Sequence, residues 1–223
     1  MLFAGFGPSL VYLIVALVVA MDVHEFSHAL VADRLGDPTP RESGRLSLNP
    51  GAHLDPLGTV SLLLVGLGWG KPVGINPFKL RFGPQVGMAL VGIAGPMSNL
   101  VVAAILAVPL RLHWVAFRPQ SVLGFPFSGG ELLSWMVWLN LALAVFNLLP
   151  FSPLDGSRLL AALLPTKWFY VLARYERYAL FLLLGLIIVE RFTDTGILAS
   201  LLFPPVEFLW WWLVGMAPPF PWR

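Results

Sequence analysis

Two histidines four residues apart, His24 and His28, enclose Glu25, Phe26 and Ser27 within the apolar run that opens the chain. On a helix this spacing puts both imidazoles on one face, about one turn or ~6 Å apart, the reach needed to hold one zinc ion. Glu25 projects beside them, where it can take a proton from a water that the metal activates. A single histidine is most often a satisfied core residue. Counting Asp22, however, four ionisable groups fall within seven positions. A charge near the centre of a bilayer costs at least ~2.5–3.5 kcal/mol, so a cluster of this kind in a membrane helix points to a site.

The elements that must position these groups are membrane helices. Of 223 residues, 57% are hydrophobic and 12% charged, and the mean hydropathy is +0.79. A soluble domain carries about 25% charged residues. One domain, residues 1–223, is the expected count, with a core at 9–160 and C-terminal helices at 161–217. The chain has no cysteine, which excludes disulfides, iron–sulfur sites and thiolate zinc sites, and leaves histidine and carboxylate as metal ligands. The formal charge of +2 arises from few charges overall, so the basic balance argues for membrane topology and against a nucleic-acid partner. The N-terminus lacks the basic region and cleavage site of a secretory signal, and its apolar run is expected to remain as a helix.

Apolar runs at about 9–31, 86–109, 131–149, 178–189 and 196–217 predict five transmembrane helices. The polar segment 33–56 carries turn signals at Gly36-Asp37-Pro38 and Asn49-Pro50-Gly51, and residues 45–48 between them alternate like a strand. This predicts a small β element at the membrane surface. His53 and Asp55 follow as another polar pair, with His53 readable as a surface histidine bonded to its own turn. The apolar stretch 57–69 is short: a helix over its first part spans only ~15 Å, half a hydrocarbon core. Basic residues flank it on both sides, so it is expected to enter the membrane and return. Segment 111–130, rich in proline and glycine, reads as an interfacial loop.

The third span ends at Asn147-Leu148-Leu149-Pro150, and Pro153-Leu154-Asp155-Gly156 follows. Two prolines within four residues break regular helix, and irregular backbone at membrane depth is tolerated only inside protein or along a cavity. Asp155 supplies the carboxylate that would complete a three-ligand catalytic zinc. Equally, it reads as the cap of the helix that runs on from Gly156.

If 57–69 does not cross, Arg34, Arg41, Arg45, Lys71, Lys79, Arg81, Arg158, Lys167, Arg174 and Arg177 share one face, and only Arg111, Arg118 and Arg191 lie opposite. Ten against three is the bias of a cytoplasmic face. The same arrangement brings His24, His28 and Asp155, distant in sequence, to one depth near that face.

Taken together, His24–His28 on a membrane helix, with Asn147-Leu148-Leu149-Pro150 and Leu154-Asp155-Gly156 at the end of a later one, resemble the site-2 protease family of intramembrane zinc metalloproteases. Gly44-Arg45-Leu46-Ser47-Leu48-Asn49-Pro50, His53–Thr59, Gly70-Lys71-Pro72-Val73 and Gly95-Pro96-Met97-Ser98-Asn99 resemble its prokaryotic branch. The match covers roughly residues 9–160, and a minimal form without the PDZ or CBS modules of many members is expected.

The resemblance implies one zinc per chain on His24, His28 and Asp155, with Glu25 as general base and Asn147 bonding substrate or oxyanion. It also implies an active site near the cytoplasmic face of a prokaryotic plasma membrane, and a membrane-protein substrate with a transmembrane segment. His53 and Asn99 lie in the matching stretches as outer-shell or substrate-contact candidates. Asp22, outside the pattern, is expected to hydrogen-bond near the site. The expected fold is thus an all-α polytopic membrane protein with about five transmembrane helices, a re-entrant segment and a small β element near the cytoplasmic face. Oligomeric state is not readable. An ion transporter using the buried His, Asp and Glu is one alternative, and a noncatalytic relative that binds membrane segments is another.

The topology has a direct test in a chain without cysteine. Single cysteines at Ser47 and Lys79 should both react with an impermeant thiol reagent from the same side of the membrane. Labelling from opposite sides would overturn the re-entrant reading.

Overall fold

A computed structural model describes residues 7–53, 55, 70–122, 125–193 and 195–219. Apolar runs become helices here because a helix satisfies its own backbone where lipid offers no partner. Helix α1 covers Gly7–Arg34, and two single turns follow, α2 (Thr39–Glu42) and α3 (Pro50–His53). Then come α4 (Gly83–Arg111), α5 (Gly129–Leu148), α6 (Asp155–Leu163), α7 (Thr166–Thr193) and α8 (Ile197–Leu213). Three of them, α1, α4 and α5, are long and apolar enough to cross a membrane. The protein is an integral membrane protein and mostly helical. The expected re-entrant stretch 57–69 lies outside the described residues.

These three helices pack against one another through small residues. Ala16, Ala20, Ala29 and Ala32 of α1 are buried, as are Gly87, Gly95, Ala103 and Ala107 of α4. Small side chains let backbones approach closely, the main source of helix association where hydrophobic burial gives no advantage over lipid. Further along, Leu110 of α4, Trp138 and Leu141 of α5, and Val206 and Trp210 of α8 form a buried cluster. The Trp138 and Trp210 rings meet edge-on at 6.0 Å, and the Trp210 indole N–H donates to the Met216 carbonyl at 2.7 Å. At the start of α5 the Ser128 hydroxyl caps the Glu131 N–H at 3.2 Å. The Ser128 N–H in turn donates to the Tyr12 hydroxyl of α1 at 2.7 Å.

The strand expected at 45–48 is not formed; those residues are irregular. Side chains, not a ladder, hold this backbone. Asp37, fully buried, accepts from the Thr39 N–H at 3.1 Å and hydroxyl at 2.6 Å, and its other oxygen accepts from the Asn76 N–H at 2.6 Å. Arg45, also buried, donates to the carbonyls of Ala52 and Lys71. Such local anchors compete with sheet pairing. The strands that do form, β1 (Gln120–Val122) and β2 (Phe125–Phe127), lie in the segment read as an interfacial loop and pair antiparallel, with Ser121 opposite Pro126.

Helix α5 ends at Leu148, ahead of Pro150 and Pro153. The chain then folds sharply back into α6, and the turn requires a glycine: a methyl group on Gly156 would fall on the carbonyl oxygens of Leu148 and Leu149. The far end of α6 is tied to α4 by the Gln85 amide, which donates to the carbonyls of Ala161 at 2.6 Å and Leu164 at 2.7 Å. Gly156→Ala should therefore overpack the α5–α6 turn and cost about 1–3 kcal/mol or more. By contrast, Gly185→Ala in α7, where the added carbon meets nothing within 4 Å, should be neutral or up to ~1 kcal/mol stabilising. Thermal unfolding of the two variants in one detergent checks the contrast.

Candidate metal centre

Helix α1 places His24 and His28 one turn apart, with ring centroids 4.6 Å apart and planes nearly perpendicular at 87°. Helix α6 begins at Asp155. The cap position is Leu154, and no side chain caps the helix there; Asp155 is thus free of the capping role that its sequence position also suggested. Instead, Asp155 Oδ2 lies 3.1 Å from His24 Nε2 and 3.1 Å from His28 Nε2. All three side chains are buried, and their candidate ligand atoms lie within 4.8 Å of one another.

Each of these groups is held on the atom that faces away from the cluster. His24 Nδ1 is 2.6 Å from Asn99 Oδ1, and His28 Nδ1 is 2.7 Å from the Val91 carbonyl oxygen. Arg158 donates to Asp155 Oδ1 at 3.1 Å. A backbone carbonyl can only accept, so His28 carries its proton on Nδ1 and turns the Nε2 lone pair inward. Asn99 donates its amide nitrogen to the Ala20 carbonyl at 2.9 Å and to Asn140 Oδ1 at 2.8 Å, which leaves its oxygen for His24. Outer partners of this kind fix ring orientation and raise ligand basicity.

The donor set fits a divalent cation. For both 3.1 Å contacts to be hydrogen bonds, each ring would need protons on both nitrogens, burying two imidazoliums around one carboxylate. Two neutral imidazoles and one carboxylate around a metal avoid that cost and match the His, His, carboxylate set of catalytic zinc. Burial works against the charge of Asp155, and the Arg158 guanidinium at 3.1 Å favours it.

Close approach of α4 completes the cluster. A methyl group on Gly95 would lie 2.5 Å from His28 Nε2 and 2.7 Å from His24 Nε2, in the space where ligand atoms converge. Gly92, one turn earlier, has the Asp155 carbonyl oxygen and Arg158 Cβ at 3.3 Å from such an added carbon.

Of the other residues singled out in the sequence, Asn99 lies against His24 as described. Glu25 is half-buried beside the cluster. Asn147 donates to the Leu143 carbonyl of its own helix at 3.0 Å. Asp22 and His53 are both buried and face each other, Asp22 Oδ1 at 3.7 Å from His53 Nε2. His53 is not on the surface, although its Nε2 lies 2.7 Å from the Ser47 carbonyl oxygen, within its own loop. Asp22 Oδ1 has no hydrogen bond and lies toward His53. Sequence reasoning passed over Arg158, read only as surface charge, and the outer roles of Asn140 and Gly95. Asn140 did carry a signal, since a buried amide in an apolar span needs partners.

Known proteins agree with this chemistry. A profile of Peptidase family M50 matches residues 127–189. The chain is 38% identical over 178 residues to the candidate zinc metalloprotease YwhC of Bacillus subtilis, covering 79% of this chain and 80% of that one. It is 32% identical over 142 residues to the candidate zinc metalloprotease Rip2 of Mycolicibacterium smegmatis, covering 62% and 52% respectively. With Rip2 of Mycobacterium tuberculosis the values are 31% over 179 residues, 79% and 66%. The chain thus spans four-fifths of the Bacillus protein but half to two-thirds of the mycobacterial ones. No solved structure gave a significant match. A membrane-embedded zinc metalloprotease is the class defined by this fold and site together. The chain belongs to peptidase family M50, the site-2 protease family.

Gly95→Ala should cost at least tenfold in zinc affinity while leaving the helices intact, measured by chelator competition and circular dichroism.

Proposed function

We propose that this protease cleaves peptide bonds within or beside a membrane-spanning segment of a protein substrate, at a centre formed by His24, His28 and Asp155. The observation that carries the reading is the convergence of the two Nε2 atoms on Asp155 Oδ2, each ligand held from behind by its own partner. Zinc, when bound, would draw the pKa of a coordinated water towards ~7 and polarise the scissile carbonyl. Glu25, next to His24 on the same helix, would take the proton and deliver it to the leaving amine. Asn147 donates one amide proton to its own helix and keeps a second for the substrate carbonyl as negative charge develops there.

A helical substrate hides its peptide bonds and must be extended before cleavage. Residues 71–76 are irregular, end in extended backbone at Asn76 and are pinned beside the end of α1 by the bond from Asn76 to Asp37, so they could receive it as an added strand. The Lys71 N–H donates to the His53 carbonyl at 2.7 Å, so the chain stands at one level on either side of stretch 57–69, as a re-entrant reading of that stretch requires. A crossing would separate those ends by ~30 Å. With α7 and α8 as the remaining spans, the single domain 1–223 has five, and the centre lies near the cytoplasmic face of a prokaryotic plasma membrane.

The test compares two variants of the purified protein. Glu25→Gln should keep one zinc per chain by elemental analysis yet cleave a transmembrane substrate at least ~10²-fold more slowly, whereas Asp155→Ala should lose both zinc and activity. Full zinc occupancy in Asp155→Ala would remove that residue from the ligand set.

A further inference from the structure

The contacts behind His24 continue beyond Asn99, and their direction is not arbitrary. Asn140, in α5 and fully buried, donates Nδ2 to the Met136 carbonyl of its own helix at 2.7 Å. Because that carbonyl can only accept, Asn140 turns its oxygen towards α4. Asn99 must then present its NH2 group, which meets Asn140 Oδ1 at 2.8 Å and the Ala20 carbonyl of α1 at 2.9 Å. The Asn99 oxygen is left facing His24 Nδ1 at 2.6 Å, and His24 has to donate there. We infer that Asn140 is a positioning residue that acts through Asn99, holding His24 in the Nδ1–H tautomer with its Nε2 lone pair free for metal.

The alternative arrangement shows what the chain of amides prevents. A flipped Asn99 would aim its oxygen at two acceptors, Ala20 O and Asn140 Oδ1, and its NH2 at His24. His24 would then carry its proton on Nε2 and could not bind a metal through that atom. In a buried, poorly solvated interior, facing acceptors with no proton between them are costly enough to set the balance between the tautomers. His28 needs no such device, since the Val91 carbonyl holds its Nδ1 directly. The two ligand histidines are therefore oriented by separate means, one through backbone and one through a side-chain relay across α1, α4 and α5.

The inference rests on the assignment of His24 as a ligand, and its test reads the ring before any metal is added. The chain has four histidines, so 15N-histidine NMR of zinc-free Asp155→Ala protein in nanodiscs, which removes the carboxylate facing both Nε2 atoms at 3.1 Å, can be assigned with single His→Gln variants above pH ~8, where free imidazole is neutral. With Asn140 in place both His24 and His28 should be Nδ1–H in that background, zinc binding being read in the protein that keeps Asp155. Asn140→Leu should shift His24 towards Nε2–H, leave His28 unchanged, and weaken zinc binding 10–100-fold in competition with a chromophoric chelator.

Asn140→Asp should restore the wild-type pattern. As a buried neutral acid it can donate its O–H to Met136 and accept from Asn99. Should Asn140→Leu not fold, Asn140→Ala carries the same expectation. An unchanged His24 tautomer with zinc affinity within twofold of wild type would overturn the inference. So would a parallel shift of both histidines, or an Asn140→Asp protein as impaired as the Leu variant. A wild-type protein that binds no zinc would instead defeat the metal-site reading, while the tautomer ratio would still decide the role of Asn140.

Discussion

Each polar side chain carried into this helix bundle has to find its partner inside, because neither lipid nor packed alanine can supply one. The metal centre depends on how that constraint is met. Backbone carbonyls are the fixed points: Ala20 on α1, Val91 on α4 and Met136 on α5 all accept from side chains that lead to the two histidines. Since a carbonyl cannot donate, these contacts set the sense of every bond that follows. Helix packing and metal chemistry therefore share the same atoms. The alanines and glycines that bring α1, α4 and α5 together also bring the acceptors within reach.

Depth within the membrane matters as much as contact. His28 is six residues from the end of α1 at Arg34, roughly 9 Å along the helix. The same end is bound to the next segment by the Arg81 N–H, which donates to the Leu35 carbonyl at 2.8 Å, and α6 doubles back there after the proline break. The candidate centre is enclosed by packed helices and lies near the end of α1. Hydrolysis needs both conditions, since water must arrive and the charged ligands must not be drowned in it.

What was legible in the sequence divides along physical lines. His24, Glu25 and His28 could be read because their relation is local and set by the pitch of one helix. Three of the five expected spans correspond to helices long and apolar enough to cross a membrane, and Asp155 stood out by its place after two prolines. Whether Asp155 would cap its helix or reach the histidines was not decidable locally. It depends on how α6 is swung against α4, which Gly92, Gly156 and Gln85 determine together. The absent strand at 45–48 has the same origin: its alternating pattern was real, but the buried side chains of Asp37 and Arg45 took the backbone elsewhere. Arg158 looked like surface charge because its partners, Asp155 at 3.1 Å and Glu176 of α7 at 3.7 Å, are revealed only by the fold. Gly95 carried no mark to separate it from the glycines that serve packing alone.

The bond between Lys71 and His53 has a consequence for how this fold can vary. It closes the chain at the base of segment 54–70, while Arg45 grips the carbonyls on either side. A clasp of this kind insulates the helices from whatever is strung between its ends. The His53–Lys71 bond runs between backbone atoms and so tolerates other side chains there, whereas the grip on the Ala52 and Lys71 carbonyls needs the guanidinium of Arg45.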